Sequence, residues 1–102
     1  MIEATIEVVD NPAERRFEAL LGGEVVGVIK YVREADTVTL THTLVPPEQE
    51  GKGIASALAK FALEHARQAS DQVIPQCPFV VAYLERHPDY QDVVAPGWNK
   101  DS

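Results

Sequence analysis

Two glycines separated by one lysine, Gly51 and Gly53, follow a predicted strand and precede a predicted helix. Glycine adopts positive φ angles without steric cost, so a turn built from glycines leaves several backbone N–H groups pointing at one spot. The positive end of the helix dipole lies behind those groups, and this combination attracts phosphate. The segment 46–56 is therefore predicted to bind a ligand that carries phosphate.

The strand that leads into this loop is predicted from strict alternation over residues 37–45. Threonines occupy one face, and the other face is predicted to be buried in the core. The face predicted to be buried carries Val38, Leu40, His42 and Leu44. Pro46 and Pro47 then end the strand, because proline has no N–H group to donate to a neighbouring strand.

The residues before this strand predict an antiparallel sheet. Gly22 and Gly23 can take the positive φ angles of a tight turn, and apolar strand patterns flank them at 15–21 and 24–33. A further strand is predicted at 5–9, where β-branched residues precede a turn.

The residues after the loop predict a helix, a strand and a second helix. Apolar residues recur at helical spacing from 53 to about 69, beside a ridge of alanines that lets the helix lie close to a sheet. A short strand at 73–76 implies a right-handed crossover to a parallel neighbour. Pro78 suits the first turn of a second helix, 79–87. The predicted fold is α/β, with a mostly antiparallel sheet and one parallel βαβ unit.

The bulk composition is that of an ordinary globular protein, with 45% hydrophobic and 25% charged residues in 102. We predict one domain over residues 1–102, with a flexible tail at 95–102. The net charge of −7 predicts a surface that repels nucleic acid and anionic membranes. No apolar run approaches the ~20 residues of a membrane span, and the first residues lack the features of a signal peptide, so we expect a cytoplasmic protein. A monomer is slightly favoured.

Three glycine-rich phosphate sites can be compared with residues 46–56. A Walker A loop requires a lysine followed by serine or threonine, and the order Gly51-Lys52-Gly53 does not supply it. The dinucleotide-binding fingerprint lacks its third glycine here and follows antiparallel rather than parallel strands. A third possibility is the pyrophosphate loop, Arg/Gln-x-x-Gly-x-Gly/Ala, which residues 50–55 resemble at their glycine and small-residue positions.

That third loop is typical of the GNAT superfamily of acetyl-CoA-dependent N-acetyltransferases, and the chain resembles the minimal, single-domain branch of this superfamily over residues 15–94. The segments 45–48, 55–59, 74–80 and 85–90 carry the rest of the resemblance. One position departs from the motif, because Glu50 stands where arginine or glutamine is usual. A carboxylate beside a pyrophosphate is unfavourable, so we expect Glu50 to turn outward and the affinity for the ligand to be reduced.

The resemblance implies acetyl transfer from acetyl-CoA to an amine acceptor, either a small molecule or a protein. It implies that backbone N–H groups of the loop hold the pyrophosphate and that the end of the preceding strand contacts the pantetheine arm. Lys52 could add a charged contact to phosphate or could be an ordinary exposed lysine. The implied acetyl-CoA-binding residues are Leu44, Val45, Gly51, Lys52, Gly53, Ile54, Ala55 and Ser56.

The predicted catalytic residues are His42 and Cys77, because an attacking amine must lose a proton and the departing thiolate benefits from gaining one. The fold would bring both side chains near the cleft between two parallel strands. A cysteine just ahead of a helix feels the helix dipole, which favours the thiolate. Cys77 could then be a transient acetyl carrier or a proton donor. Alternatively, Cys77 and His42 are core residues.

Two other functions stay open from the sequence. One is a module that binds acyl-CoA without efficient catalysis, which Glu50 and the short chain favour. The other is an interaction domain whose glycine turn only begins a helix. No metal site is predicted, because one cysteine and scattered histidines lack the spacing of metal ligands.

Overall fold

A computed structural model describes residues 5–98. Its elements are strands β1 (Glu7–Asn11), β2 (Arg16–Leu21), β3 (Glu24–Glu34) and β4 (Thr37–Leu44), a short 3₁₀ helix (Pro47–Gln49), helix α1 (Ile54–Ala69), strand β5 (Gln72–Pro75), helix α2 (Pro78–Arg86) and a second 3₁₀ helix (Pro88–Val93). The strands form one sheet in the order β1-β2-β3-β4-β5. The predicted fold class is confirmed, because β1 to β4 are antiparallel and β4 pairs with β5 in parallel.

The turns of the antiparallel part follow from residues that tolerate positive φ. Gly22 and Gly23, with φ of 59° and 85°, connect β2 to β3 as predicted. The strand predicted at 5–9 is instead found two residues later. Asp10 and Asn11 pair with Phe17 and Arg16, so the ladder continues through residues that, read alone, are typical of a turn.

Helix α1 covers one face of the sheet and forms the core with it. Ile54, Leu58 and Leu63 are fully or almost fully buried, and the alanine ridge is buried at Ala59, Ala62 and Ala66. Small side chains let the helix axis approach the strands closely. The core therefore lies between the sheet, α1 and α2.

Helix α1 lies directly against the backbone of β3 at Gly27. A Cβ atom added at this glycine would lie 2.7 Å from Cγ2 of Ile54 and 3.2 Å from Cγ2 of Val45. The absence of a side chain at Gly27 therefore lets the first residue of α1 lie against the strand.

The predicted flexible tail at 95–102 is only partly described. The amide of Ala95 donates a hydrogen bond of 2.9 Å to the carbonyl of Val73, and the amide of Trp98 donates to the carbonyl of Ala95. Residues 99–102 lie outside the described residues. None of the helices in the described range is long and apolar enough to cross a membrane.

Candidate functional site

The loop between β4 and α1 has the backbone geometry of an anion site. Gly51 and Gly53 have φ of 85° and 77°, in the left-handed region where other residues are strained. A Cβ added at either glycine would meet nothing within 4 Å, so the backbone angle and not crowding by the protein explains both glycines. The same open space leaves the loop accessible to a ligand.

The first turn of α1 presents N–H groups that the helix itself cannot satisfy. Gly53 is the N-cap, and it has no side chain with which to cap the helix. The amide of Ala57 is the first to bond within the helix, at 3.0 Å from the carbonyl of Gly53. The amides of Ile54, Ala55 and Ser56 precede it and, within residues 5–98, have no acceptor. The first turn also contains no acidic residue, so the positive end of the dipole is not neutralised there.

A cavity of about 530 Å³ lies over these amides, within the size range of small-molecule sites. Its walls come from the end of β4, the loop, the first turn of α1 and the beginning of α2. The lining residues are Thr43, Val45, Gln49, Glu50, Gly51, Gly53, Ile54, Ala55, Ser56, Cys77, Pro78 and Phe79. We refer to it below as the loop cavity.

The loop cavity contains most, but not all, of the predicted site residues. Val45, five residues of the loop and first helical turn, and Cys77 line it, whereas His42, Leu44 and Lys52 do not. The Nζ atom of Lys52 instead donates a 2.9 Å hydrogen bond to Oε1 of Gln49. Glu50 is exposed, yet it forms part of the cavity wall.

The prediction that His42 and Leu44 face the core is wrong. Both are exposed, whereas Val38 and Leu40 of the same strand are buried as predicted. Tyr31 pairs with Leu40 but Lys30 pairs with His42, which leaves Thr41 as the extra residue of a β-bulge. A single inserted residue reverses the alternation beyond it, because side chains point to opposite faces in turn.

The bulge also decides which strand residues enter the loop cavity. Beyond Thr41, the side chains on the helix side of the sheet are Thr43 and Val45 instead of His42 and Leu44. Sequence reasoning missed Thr43, which it placed on the outer face. The pairing of β4 with β3 creates the bulge, and no signal within the strand's own alternating pattern indicates it.

The structure brings Cys77 and Thr43 together. The parallel pairing ends at Leu40 and Pro75, after which the amide of Cys77 still donates a 3.0 Å hydrogen bond to the carbonyl of Leu40. The chain then turns into α2, with Cys77 as its N-cap, and leaves the end of β4 unpaired on this side. Sγ of Cys77 lies 2.9 Å from Oγ1 of Thr43, and the cysteine is only 4% exposed.

The other histidines and the tyrosines of the carboxyl-terminal half have packing partners instead of places in the loop cavity. The ring of His65 stacks on Phe61 with centroids 5.6 Å apart, and the ring of His87 stacks on Tyr83 at 4.1 Å. The hydroxyl of Tyr90 donates a 2.6 Å hydrogen bond to Glu64, which together with burial raises the pKa of Tyr90 to about 12. We assign these residues to structure.

No group of three or more His, Cys, Asp or Glu side chains that could hold a metal ion occurs among residues 5–98. The polar residues of the loop cavity therefore supply backbone amides, the hydroxyls of Thr43 and Ser56, the carboxamide of Gln49, the thiol of Cys77 and the carboxylate of Glu50.

Comparison with known proteins agrees with this geometry. A sequence model of the GCN5-related N-acetyltransferase family matches residues 16–93, which include every element from β2 to the second 3₁₀ helix. The fold is also similar to the solution structure of a GCN5-like candidate N-acetyltransferase from Staphylococcus aureus. That protein is 28% identical, the alignment covers 87% of each chain, and the TM-score is 0.66. The chain belongs to the GCN5-related N-acetyltransferase family.

Proposed function

We propose that this enzyme binds acetyl-CoA in the loop cavity and transfers its acetyl group to an amine. The observation that supports this most directly is the row of unpartnered amides at Ile54, Ala55 and Ser56, which line the same cavity as Cys77. Such amides are suited to a pyrophosphate, and the cavity continues from them to a thiol at hydrogen-bond distance from a hydroxyl.

In this proposal the loop 51–56 holds the pyrophosphate through its backbone, and Val45 contacts the pantetheine arm from the end of β4. Leu44 and Lys52 stay predicted contacts, although neither lines the loop cavity. A backbone N–H near the end of β4 would stabilise the negative charge that forms on the carbonyl oxygen.

The reaction forms a bond between the amine nitrogen and the acetyl carbon and breaks the carbon–sulfur bond of the thioester. The amine loses one proton, and the sulfur of the released CoA gains one. As a proton donor, Cys77 would protonate that sulfur and recover a proton from the amine. As an acetyl carrier, its thiolate would first take the acetyl group and then return to the thiolate when the amine attacks.

His42 is proposed to accept the amine proton from the open face of the sheet. Its ring is exposed, hydrogen-bonds to Thr41 at 3.2 Å and lies on the face of the sheet opposite Thr43, so it would accept the proton of an amine that approaches from that face. His42→Ala is then expected to lower the transfer rate by about 10²-fold or more while acetyl-CoA still binds. An unchanged rate in that variant would remove His42 from the mechanism.

Calorimetric titration with acetyl-CoA tests the binding step. Gly53→Ala should weaken binding about tenfold or more, since alanine disfavours a φ of 77° at the N-cap. Gly22→Ala is the matched control, because Gly22 also has a positive φ, 59°, but lies in the turn between β2 and β3. Equal affinities in both variants and the wild type, or no heat from the wild type at millimolar acetyl-CoA, would refute the assignment of the loop.

A second candidate function is an acyl-CoA-binding module without efficient catalysis. It is favoured by Glu50, an exposed residue at the wall of the loop cavity whose negative charge opposes an anionic ligand. Cys77→Ala and Cys77→Ser, assayed for acetyl transfer to a panel of primary amines, separate the two functions. Transfer that depends on the thiol supports the enzyme, whereas binding with no transfer to any amine supports the module.

A further inference from the structure

We propose that Thr43 is a positioning residue for Cys77. The hydroxyl of Thr43 holds the thiol of Cys77 in place in the loop cavity and stabilises the thiolate form of Cys77. This inference rests on the proposed function, because it assigns a role at the same cavity. It adds a residue that the sequence pattern had placed on the opposite face of β4.

The first support is the contact itself. Oγ1 of Thr43 and Sγ of Cys77 are 2.9 Å apart, and both residues line the loop cavity. The two residues are 34 positions apart in the chain, so the tertiary structure alone creates this pair. Cys77 is 4% exposed, which limits the water available to solvate its sulfur and increases the weight of each protein hydrogen bond.

The second support is that α2 does not provide the hydrogen bond that its N-cap would usually form. Cys77 makes no side-chain capping bond, and the next residue, Pro78, has no N–H group. The amide of Val80 bonds to the carbonyl of Cys77 and not to its sulfur. Within the described residues, Thr43 is thus the hydrogen-bond partner of the thiol.

The third support is the direction of the hydrogen bond in each protonation state. Either atom can be the donor while Cys77 is a thiol, but a thiolate has no proton and only accepts. The hydroxyl of Thr43 has one proton, and its hydrogen-bond partner among residues 5–98 is Cys77. Thr43 can therefore turn its proton toward the sulfur when the thiolate forms, and a bond to a charged acceptor is stronger than one to a neutral acceptor.

The charged side chains around the sulfur of Cys77 do not stabilise a thiolate in place of Thr43. From the loop, Glu50 is the charged residue in the wall of the cavity, and a carboxylate disfavours a thiolate. The first turn of α1 carries no acidic residue, and α2 carries its charged residues at its far end, Glu85 and Arg86. His42 of β4 faces the opposite side of the sheet from Thr43. The positive end of the α2 dipole acts in the same direction as Thr43.

The test uses Thr43→Val, which keeps the shape of the side chain and removes the hydroxyl, with Thr43→Ser as the matched control that keeps the hydroxyl. Cys77 is the single cysteine of the chain, so the ultraviolet absorbance of the thiolate and the rate of alkylation by iodoacetamide both report on it alone. Both are measured as a function of pH without acetyl-CoA, so the result does not depend on whether the ligand binds.

We expect Thr43→Val to raise the pH midpoint of thiolate formation by about one unit and to slow alkylation about tenfold below that midpoint. Thr43→Ser should restore the wild-type midpoint. A wild-type midpoint in Thr43→Val, or the same shift in Thr43→Ser, would overturn the proposal, because the hydroxyl would then not determine the behaviour of the thiol. If Thr43→Val does not fold, the smaller Thr43→Ala makes the same comparison with Thr43→Ser.

Acetyl-CoA titrations of the same proteins separate this proposal from the proposed function. A shifted midpoint in a protein whose wild type binds no acetyl-CoA would refute the function and leave the Thr43–Cys77 interaction established. Binding of acetyl-CoA by the wild type, together with an unshifted midpoint in Thr43→Val, would support the proposed function and refute the role of Thr43.

Discussion

Replacing Gly27 with alanine tests the structural basis of the loop, because this glycine determines how close α1 comes to the sheet. The added Cβ would be 2.7 Å from Cγ2 of Ile54, 3.2 Å from Cγ2 of Val45 and 3.4 Å from Cδ1 of Leu58. The shortest distance is below any normal contact. Ile54 is β-branched and helical, so it has one strongly preferred χ1 rotamer and cannot turn its Cγ2 away. The helix backbone must move instead.

The expected cost follows from two opposing terms. Overpacking a core of this kind costs about 1–3 kcal/mol. Alanine also reduces the entropy of the unfolded chain, which offsets about 0.4–1 kcal/mol because Gly27 does not have a positive φ. The net loss is about 1–2 kcal/mol, or a decrease of roughly 4–16 °C in the melting temperature of a domain of this size. Thermal unfolding followed by circular dichroism measures it.

Gly27→Ala should affect ligand binding more than an ordinary core substitution would. Ile54 is the residue that must move, and it also provides the first backbone amide of α1. We expect the affinity for acetyl-CoA, measured by calorimetry, to fall about tenfold in Gly27→Ala. Gly22→Ala is again the control: it loses stability through its φ of 59° but has no contact with α1. Its affinity should stay at the wild-type value.

A double-mutant cycle with Ile54→Ala identifies the contact. If Cγ2 of Ile54 is the obstacle, Gly27→Ala should cost about 1 kcal/mol less in the Ile54→Ala background than in the wild type. Equal costs in both backgrounds, or wild-type stability and affinity in Gly27→Ala alone, would refute this account of how the loop is positioned.

Three further expectations concern stability. Burial, and then the 2.6 Å hydrogen bond to Asp10, raise the pKa of Tyr31 to about 12. Because an unfolded tyrosine ionises near pH 10, the free energy of unfolding measured in urea should fall between about pH 10 and pH 12. Tyr31→Phe should remove about 1.4 kcal/mol per pH unit of that decrease. The hydrogen bond from Arg16, and then that from Asn11, lower the pKa of Glu18 below its ordinary value. The contribution of Glu18 to the stability of the fold is therefore present above the ordinary pKa of a glutamate and is lost in more acidic solution. Glu18→Gln should reduce the acid dependence of stability, and an unchanged acid profile in this variant would contradict the assignment. Leu63 is fully buried, so Leu63→Ala should cost about 2–5 kcal/mol by urea denaturation, and a loss under 1 kcal/mol would mean that the core closes around the gap.

Most of the fold could be predicted because its signals are local. The turn at Gly22 and Gly23 needs positive φ angles that glycine supplies, and the apolar spacing of α1 follows from the geometry of one helix. The parallel pairing of β4 with β5 follows from a strand–helix–strand order with a fixed handedness. The first two features depend on residues close together in the chain, and the third depends on the order of the elements along it.

The backbone conformation of the loop before α1 could be predicted for the same reason, whereas the residues around the thiol could not. The positive φ values of Gly51 and Gly53 are an intrinsic preference of glycine, so their positions in the sequence already indicate a row of free amides before α1. The face that His42 and Thr43 occupy depends on how β4 pairs with β3. That pairing brings together residues from different strands, and alternation within one strand contains no information about it.

The sequence by itself determined the class of fold, the loop that precedes α1 and the presence of one cysteine ahead of α2, because glycine conformation and helical spacing are properties of short segments and the order of elements is read directly along the chain. Only the tertiary structure decided that the bulge at Thr41 turns His42 out of the loop cavity and brings Thr43 to within 2.9 Å of Cys77. The physical reason is that one extra residue in a strand reverses every side chain beyond it, and the neighbouring strand, through its register, determines where that residue falls.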